Sequence, residues 1–297
     1  MVEASDGSAD VAAVAATLVG SGATVAREGA GWDHVAWRVT GADGVPWIVR
    51  LATADGHDDP STEVQREVSV MRAARAVLGD LVAAAVAADG AMAYPRLPGV
   101  PLQDLLAVDA VPDAAQERLA GEIGAVVRAV GTVSPPSGVP VEDGLPVWLA
   151  EVPSSAAAVD HLLTDDVRAA VDRFQRMRPP SDPDPADLRF AHNDLGAEHV
   201  LVDPATFAIT GIIDWSDAAI ADQAADVGRL LRDLGDRHVG AVLDGMQVSG
   251  PARPGVLERA WCYARCLVLE DLAYAVTNRP DLVEHELASA RRLFADV

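Results

Sequence analysis

The hydrophobic positions of the chain change their spacing near residue 100. Before that point, Val35, Trp37 and Val39 alternate with smaller or polar residues, and a second β-rich run at 47–51 follows the turn-forming stretch GADG. This alternation predicts a β-hairpin. An alanine- and valine-rich stretch at 8–18 predicts a helix, and the short run AMAYP, which is followed by a proline and a glycine, predicts a further strand.

One prominent helix is expected after residue 60. Ser61 or Thr62 can cap its N-terminus, and acidic residues occupy its first turns, where the helix dipole favours negative charge. Apolar residues then recur at the spacing of one helix face, at Val64, Val68, Met71 and Ala74. The first part of the chain therefore predicts a small sheet with one long helix.

Beyond residue 103 the apolar spacing becomes mostly helical. Helical periods cover the ranges 114–132, 147–160, 164–177, 223–234 and 254–277. Two short strands are predicted at 199–203 and 210–214, after the loop PPSDPDPAD. We therefore expect an α+β fold with a small β-rich N-terminal lobe at 1–97 and a larger helical C-terminal lobe at 98–297.

Composition narrows the class of partner. The chain has 45 acidic and 23 basic residues and a formal net charge of −22, which would repel nucleic acid and attract a cationic small molecule. No apolar run approaches the roughly 18 residues of a membrane span, and the N-terminal stretch lacks the basic region of a signal peptide. Cys262 and Cys266 form neither a disulfide framework nor a zinc pattern, which is typical of a reducing compartment. We expect a cytoplasmic protein with no nucleic-acid or membrane partner.

The densest group of chemically active side chains lies in the stretch FAHNDLGAEHVLVD at 190–203. His192, Asp194, Glu198 and His199 fall in one short loop between apolar runs. A metal site, a catalytic loop and an ordinary polar turn are the three interpretations. A hydrolytic metal site is disfavoured because HExxH is absent, and because neighbouring residues in an extended run point to opposite faces.

The spacing fits a phosphoryl-transfer loop. Such a loop carries a carboxylate that orients a hydroxyl and accepts its proton, a metal ligand five residues later, and a second metal-binding carboxylate on the following hairpin. Here Asp194 is followed five residues later by His199, in the position where protein kinases have asparagine. Asp214 ends the strand GIID, where the second carboxylate is needed.

Together, HNDLGAEHVLVD and GIIDWSDAAIADQAAD resemble the aminoglycoside phosphotransferase family, which includes macrolide kinases and has a two-lobed, protein-kinase-like fold. The resemblance is dense over residues 190–228, and some aminoglycoside and macrolide kinases share the histidine. It implies that Asp194 is the catalytic base, that His199 and Asp214 bind Mg²⁺, and that ATP or GTP donates the phosphate. His199 would bind the metal either directly or through a water. The resemblance also implies that Asp226, at the start of a helix, stabilises either the helix N-terminus or the loop.

The resemblance assigns residues of the N-terminal lobe as well. In the family, a strand lysine contacts the α- and β-phosphates and pairs with a helix glutamate. The strand PWIVRLA places Arg50 at the lysine position, and Glu67 would be its partner. All 23 basic residues of the chain are arginine, so a lysine cannot serve here. Tyr94 and Leu97 would lie in the hinge that contacts the nucleotide base through backbone groups.

The acceptor is left open by the sequence. Acidity favours an aminoglycoside, a cationic antibiotic whose ammonium groups would meet Asp217, Glu270 and Asp271. A macrolide needs an apolar pocket instead, which residues such as Trp148 could line. A metabolic kinase for a sugar, a choline-like amine or homoserine uses the same motifs. A non-catalytic, pseudokinase-like binder is a further alternative because the lysine is missing. Either a monomer or a homodimer is compatible with the sequence.

Overall fold

The computed structural model describes residues 8–18, 24–30, 34–41, 43–52, 60–88, 91–295 and 297. The chain divides into two compact units. The first takes in described residues of Met1–Pro98, Ser134–Val139 and Thr210–Ser216, and the second takes in those of Gly99–Val133, Pro140–Ile209 and Asp217–Val297.

The first unit is built on a five-stranded antiparallel sheet. Its strands are β1 (Thr24–Ala30), β2 (His34–Thr40), β3 (Pro46–Ala52), β4 (Val86–Ala88) and β5 (Ala91–Pro95), in the order β1-β2-β3-β5-β4. Val49 is in register with Trp37 of β2 and with Ala93 of β5, so these apolar side chains share one face of the sheet. Val11 and Ala15 of α1 (Ser8–Leu18) join the same buried cluster. The predicted hairpin and first helix are confirmed.

The opposite face of β3 carries Arg50, because successive strand residues alternate between faces. Arg50 is in register with Ala36 and Met92. The long helix α2 (Pro60–Leu78) contacts β3 and β5. It buries one face, made of Val64, Val68, Met71 and Ala74, as its sequence spacing predicts. Glu67 falls on this buried face, one turn before Met71, and so lies inside the unit.

The second unit is mainly helical. Its helices are α3 (Leu102–Leu106), α4 (Asp113–Val130), α5 (Leu145–Val159), α6 (Asp165–Arg176), α7 (Ala224–Leu234), α8 (Asp236–Gly245), α9 (Ala252–Asn278) and α10 (Val283–Leu293). The long α9 packs against α5, α7 and α10, and α4 packs against α8. Within the described part of the chain, none of the helices combines the length and apolar character that a membrane crossing requires.

Glycines allow α4 and α8 to approach closely. A Cβ added at Gly124 of α4 would collide with the carbonyl oxygen of Val242, and one added at Gly245 of α8 would collide with that of Gly121. The two helix backbones are therefore in direct contact, and only a residue without a side chain fits at either position.

Short strands position the loop that carries the predicted chemistry. They are β6 (Val100–Pro101), β7 (Arg189–Ala191), β8 (Val200–Val202), β9 (Ile209–Ile212) and β10 (Ala219–Ala221). In the second unit, β6 pairs antiparallel with β8, and β7 pairs antiparallel with β10. The loop at 192–199 is thus fixed at both ends by paired strands. The predicted strand at 199–203 is shorter than expected, since β8 begins after His199.

Candidate active site

Arg50 is buried beside two carboxylates in the first unit. Its Nη1 lies 2.7 Å from Oε1 of Glu67 and 3.3 Å from Oδ1 of Asp214. Only 6 % of Arg50 and 3 % of Glu67 is exposed. Burial alone would lower the pKa of Arg50, but the carboxylates of Glu67 and Asp214 outweigh it and raise this pKa above its ordinary value. The result is a fixed, permanently charged guanidinium, which is suited to contacting phosphate oxygens.

Tyr94 contributes its side chain to the same place. Its hydroxyl accepts a hydrogen bond from Arg50, and burial raises the pKa of Tyr94 to about 12. Leu97 lines the same small pocket as Arg50, Glu67 and Asp214. The sequence pointed to backbone groups of Tyr94. The structure brings its side chain to Arg50 and its backbone into register with β3, and the contact of its backbone with the nucleotide base stays a prediction.

Asp214 sits on a turn with an uncommon backbone conformation. Its φ of 61° lies in the left-handed region, which Asp and Asn tolerate better than most residues. Ser216 donates a hydrogen bond to its carboxylate at 3.0 Å, and the side chain is 39 % exposed. The fully buried Trp215 donates to the carbonyl of Ile212 and anchors the turn. The carboxylate of Asp214 is therefore held in place and is reachable by a ligand.

The loop at 192–199 is tied to carboxylates of α7. Asp226 accepts hydrogen bonds from the backbone amides of Leu195, at 3.2 Å, and of Asn193. Asp233 accepts one from the amide of Ala197 at 2.7 Å. Burial raises the pKa of Asp226 to about 6, although both amides and Arg229 favour its charged form. The expected loop-stabilising role of Asp226 is confirmed by these contacts.

Asp194 lies in this loop beside an arginine from α7. The Nε of Arg229 donates to Oδ1 of Asp194 at 2.8 Å. Burial by itself would raise the pKa of the Asp194 carboxyl, but Arg229, His199 and His192 outweigh it and hold this pKa well below its usual range. The preceding Asn193 has a φ of 64°, in the left-handed region. Asparagine tolerates this conformation, and non-glycine residues in the left-handed region are often found at active sites.

His199 is oriented by the loop itself. Its Nδ1 lies 2.7 Å from the backbone oxygen of Asp194, which can only accept, so Nδ1 carries the proton of this bond. In the neutral imidazole the lone pair is then on Nε2. The ring stacks on that of His192, with 6.0 Å between the ring centroids.

These groups are compatible with a divalent cation. Asp194, Glu198 and His199 each offer one ligand atom, and the three atoms lie within 4.8 Å of one another. Carboxylate oxygens are the donors that Mg²⁺ prefers, whereas an imidazole nitrogen is a softer donor. Asp214 supplies a carboxylate oxygen in the first unit. Within each unit, the carboxylate oxygens are donors that fit Mg²⁺.

A second arginine of α7, Arg232, contacts three carboxylates. It donates to both carboxylate oxygens of Glu198, at 3.1 and 3.2 Å, to both of Asp233, and to Oδ2 of Asp271. Asp271, which the sequence assigned to the substrate, thus lies 2.5 Å from an internal cation. Its side chain is 33 % exposed, and its contact with the substrate stays a prediction.

Two other predicted substrate residues, Glu270 and Asp217, are exposed. Partial desolvation and the neighbouring Asp271 raise the pKa of Glu270, and Asp194 and Glu151 add to this effect. Glu270 therefore lies within electrostatic range of Asp194. A cation bound near Glu270 would relieve the repulsion among these carboxylates.

The sequence did not point to Arg229, Arg232 or Asp233. Their signal is a pattern in α7, where two arginines and two aspartates interrupt an otherwise apolar helix that is buried almost throughout. Charged residues in such a helix need partners, since a buried unpaired charge is costly. That pattern predicts buried ion pairs without naming their partners.

Comparison with known proteins gives the family. A family model described as a phosphotransferase enzyme family matches residues 24–260. An aminoglycoside 3′-phosphotransferase of Streptomyces fradiae is 36 % identical over 70 residues, an alignment that spans 24 % of this chain and 24 % of that relative. The chain therefore belongs to the phosphotransferase enzyme family, as the catalytic-loop motifs predict.

Solved structures of phosphotransferases share the fold. The GDP complex of wild-type aminoglycoside 2′-phosphotransferase-IIIa has a TM-score of 0.67 at 19 % identity and covers 98 % of this chain and 99 % of that one. A macrolide 2′-phosphotransferase type I has a TM-score of 0.60 at 20 % identity and covers 98 % and 97 %. The expected α+β, protein-kinase-like fold is confirmed.

Proposed function

We propose that this protein transfers the γ-phosphoryl group of ATP or GTP to a hydroxyl group of an aminoglycoside antibiotic. The observation that carries the proposal is the buried Arg50–Glu67 pair, with Asp214 3.3 Å from Arg50. A fixed cation beside a reachable carboxylate is the arrangement needed to bind phosphate oxygens and their metal ion. With arginine at this position, the positive charge of the missing lysine is kept.

On the acceptor side, Asp194 is the proposed base. Its Oδ1 is engaged by Arg229, so Oδ2 accepts the proton of the acceptor hydroxyl. As the hydroxyl oxygen forms its bond to the γ-phosphorus, the bond from that phosphorus to the β,γ-bridging oxygen breaks. The proton stays on Asp194, and the nucleoside diphosphate leaves with the bond's electron pair. A carboxylate with a low pKa orients the hydroxyl from the outset and takes the proton late in the reaction.

On the donor side, Arg50 is the proposed contact of the α- and β-phosphates, and Glu67 and Tyr94 hold it in position. Leu97 and the backbone near it are the proposed contacts of the base. Asp214 and His199 are the proposed metal ligands. When bound, Mg²⁺ would neutralise charge on the phosphate oxygens. The GDP in the structure of the aminoglycoside relative supports a nucleoside triphosphate as donor.

Charge supports an aminoglycoside as acceptor. The net charge of −22 and the exposed carboxylates of Glu270 and Asp217 favour a substrate with several ammonium groups. Glu270 lies within electrostatic range of Asp194, so it could hold an ammonium group close to the reacting hydroxyl. A macrolide carries little positive charge and is the second candidate, since a macrolide phosphotransferase shares the fold.

The test is phosphate transfer from ATP and from GTP to a panel of kanamycin-type aminoglycosides, erythromycin-type macrolides and choline. Nucleoside diphosphate release gives the rate, and the mass of the acceptor identifies the product. We expect turnover with aminoglycosides. Turnover with macrolides alone would show that the substrate is a macrolide and not an aminoglycoside. Turnover with choline alone would indicate a metabolic kinase.

Asp194→Ala should abolish turnover while leaving nucleotide affinity within a few-fold, because Asp194 acts at the acceptor. Asp203→Asn is the matched control in the same region. Asp203 is partly exposed and accepts hydrogen bonds from the amides of Ala205 and Thr206 in a turn, and asparagine can also accept such bonds. Wild-type turnover in Asp194→Ala would remove Asp194 from the mechanism. Nucleotide binding with no transfer to any acceptor would favour a non-catalytic binder.

A further inference from the structure

The carboxylate of Asp194 is held by a residue outside the catalytic loop. Arg229 belongs to α7 and lies 35 positions along the chain, yet its Nε donates to Oδ1 of Asp194 at 2.8 Å. The Arg229 side chain is 6 % exposed, whereas that of Asp194 is 28 % exposed. The guanidinium therefore contacts the carboxylate from the protein interior, and the outer side of the carboxylate stays open to a ligand.

The position of Arg229 is itself fixed by packing. Its guanidinium carbon lies 5.4 Å from the ring centroid of Trp148, on α5, which is within the range of a cation–π contact. Trp148 in turn meets the ring of Tyr263 edge-on at 6.1 Å. A Cβ added at the neighbouring Gly228 would lie 2.7 Å from Cβ of Tyr263, so α7 and α9 are in close contact at this turn. The arginine cannot follow a shifted carboxylate without disturbing this packing.

The contact with Arg229 gives the two carboxylate oxygens of Asp194 different roles. Oδ1 is committed to Arg229. The proton on Nδ1 of His199 is committed to the backbone oxygen of Asp194 at 2.7 Å, and Nδ1 lies 3.4 Å from Oδ2, too long for a strong hydrogen bond. Oδ2 is thus the oxygen that can meet a hydroxyl group.

We propose, on the basis of the phosphotransferase function proposed above, that Arg229 is the positioning residue of Asp194 and aims Oδ2 at the acceptor hydroxyl. An arginine is needed at this position because it fixes the direction of the hydrogen bond to Asp194, in addition to supplying positive charge. The Nε–H of a guanidinium points along one fixed line in its plane, whereas the ammonium group of a lysine rotates freely. Arg229→Lys should therefore preserve the positive charge and lose the orientation.

The experiment compares Arg229→Lys and the wild-type protein with the acceptor that the panel identifies. We expect kcat to fall by about 100-fold, the typical cost of misplacing a reacting group by about 1 Å, while the KM for the nucleotide changes less than about threefold. Arg265→Lys is the matched control. The guanidinium of Arg265 also lies over an aromatic ring, at 4.9 Å from Trp261, but its Nε donates to the backbone carbonyl of Leu293. This control should keep wild-type kcat.

Chemical rescue separates positioning from a general effect on folding. Arg229→Ala leaves a space of guanidinium shape, and added guanidinium chloride at non-denaturing concentration should restore part of the lost kcat in a saturable way. Sodium chloride at the same ionic strength should not. A misfolded variant would not be rescued by a small cation.

Wild-type kcat in Arg229→Lys, or absence of rescue in a folded Arg229→Ala, would overturn the positioning role and leave the proposed function standing. A wild-type protein that transfers phosphate to none of the acceptors would overturn both. The two failures are therefore distinguishable before any variant is compared.

Discussion

Arg50 and Glu67 form a buried ion pair, with 2.7 Å between Nη1 and Oε1, across the contact of a strand and a helix. Alternation along β3 places Arg50 on the face opposite Val49, and the helical spacing of α2 places Glu67 on the buried face with Val68 and Met71. Two local periodicities thus bring one cation and one anion together in the core of the first unit.

Removal of one partner of this pair should destabilise the protein. Arg50→Met leaves the buried Glu67 without its cation, and we expect a loss of about 3–5 kcal/mol in the free energy of unfolding. Glu67→Gln should cost less, because Arg50 keeps Asp214 as a partner at 3.3 Å. Denaturant unfolding measures both changes. The exposed Arg237–Asp113 pair is the control, and Arg237→Met should cost less than about 1 kcal/mol. Equal losses in all three variants would contradict this ranking.

Tyr94→Phe should weaken nucleotide binding through Arg50. The ring is kept and only the hydroxyl that accepts from Arg50 is lost, so we expect a two- to tenfold rise in Kd, about 0.5–1.5 kcal/mol. Titration with a fluorescent nucleotide measures it. In an Arg50→Lys background the same change should have a smaller effect, because the hydroxyl acts through the guanidinium. Tyr274→Phe serves as the control. Equal effects of Tyr94→Phe in both backgrounds would exclude coupling to Arg50.

Glu286 should make the stability of the second unit depend on pH. It is 7 % exposed, and burial, with repulsion from Asp271, raises its pKa from 4.5 to about 8. Because the folded-state pKa lies above the unfolded one, the stabilisation from protonated Glu286 is fully present below about 4.5 and is lost as the pH rises through 8. Glu286→Gln mimics the protonated form. The variant should match the wild type at pH 4.5 and be more stable at pH 8.5, because each pH unit between the two pKa values changes the free energy of unfolding by roughly 1.4 kcal/mol.

Unfolding curves across this pH range test the prediction. Glu284→Gln, on the same helix but exposed, is the matched control and should give a difference from the wild type that does not change with pH. If the free energies of unfolding of Glu286→Gln and the wild type differed by the same amount at every pH, the carboxyl of Glu286 would be ionised in the folded protein over this whole pH range.

Two glycine-to-alanine substitutions should change the free energy of unfolding in opposite directions. Gly228→Ala places a methyl group 2.7 Å from Cβ of Tyr263 and 2.9 Å from the carbonyl of Ala260, so α7 and α9 must separate, at a cost of about 1–3 kcal/mol. At Gly240, in α8, the nearest atom would be Nη2 of Arg253 at 3.8 Å, an ordinary contact. Gly240→Ala should therefore gain up to about 1 kcal/mol from helix propensity. Thermal unfolding of both variants measures the sign, and destabilisation by Gly240→Ala would be inconsistent with the open space.

Local periodicity was sufficient to predict the elements that carry the site. The helices predicted at 147–160 and 223–234 are present as Leu145–Val159 and Ala224–Leu234. Among the longer helices, α8 and α10 were not predicted. Gly235, with a φ of 82°, ends α7 directly before α8, and α8 contains Gly240 and Gly245, which weaken the helical signal. Helix propensity therefore did not predict α8, which is stabilised by its packing against α4.

The ion pairs of the site could not be predicted in the same way. Arg229 and Asp194 are 35 positions apart, and Arg232 and Asp271 are 39 apart. With 23 arginines and 45 acidic residues, charge alone allows too many pairings, and helix packing selects among them. Asp271 illustrates the limit. Its place beside Glu270 suggested a shared role, but successive residues of a helix face different directions, and Asp271 turns to Arg232.

Under the proposed function, Arg50 also decides how the nucleotide pocket can be labelled. Acylating derivatives of nucleotides modify the amine of a lysine next to the phosphates, and a guanidinium that keeps its proton is a poor nucleophile toward them. With arginine at this position and at every other basic position of the chain, the pocket has no lysine amine to acylate. Because the buried Arg50 also keeps its proton, occupancy of this protein in a mixture of kinases would have to be followed without covalent labelling of this residue, by displacement of a fluorescent nucleotide.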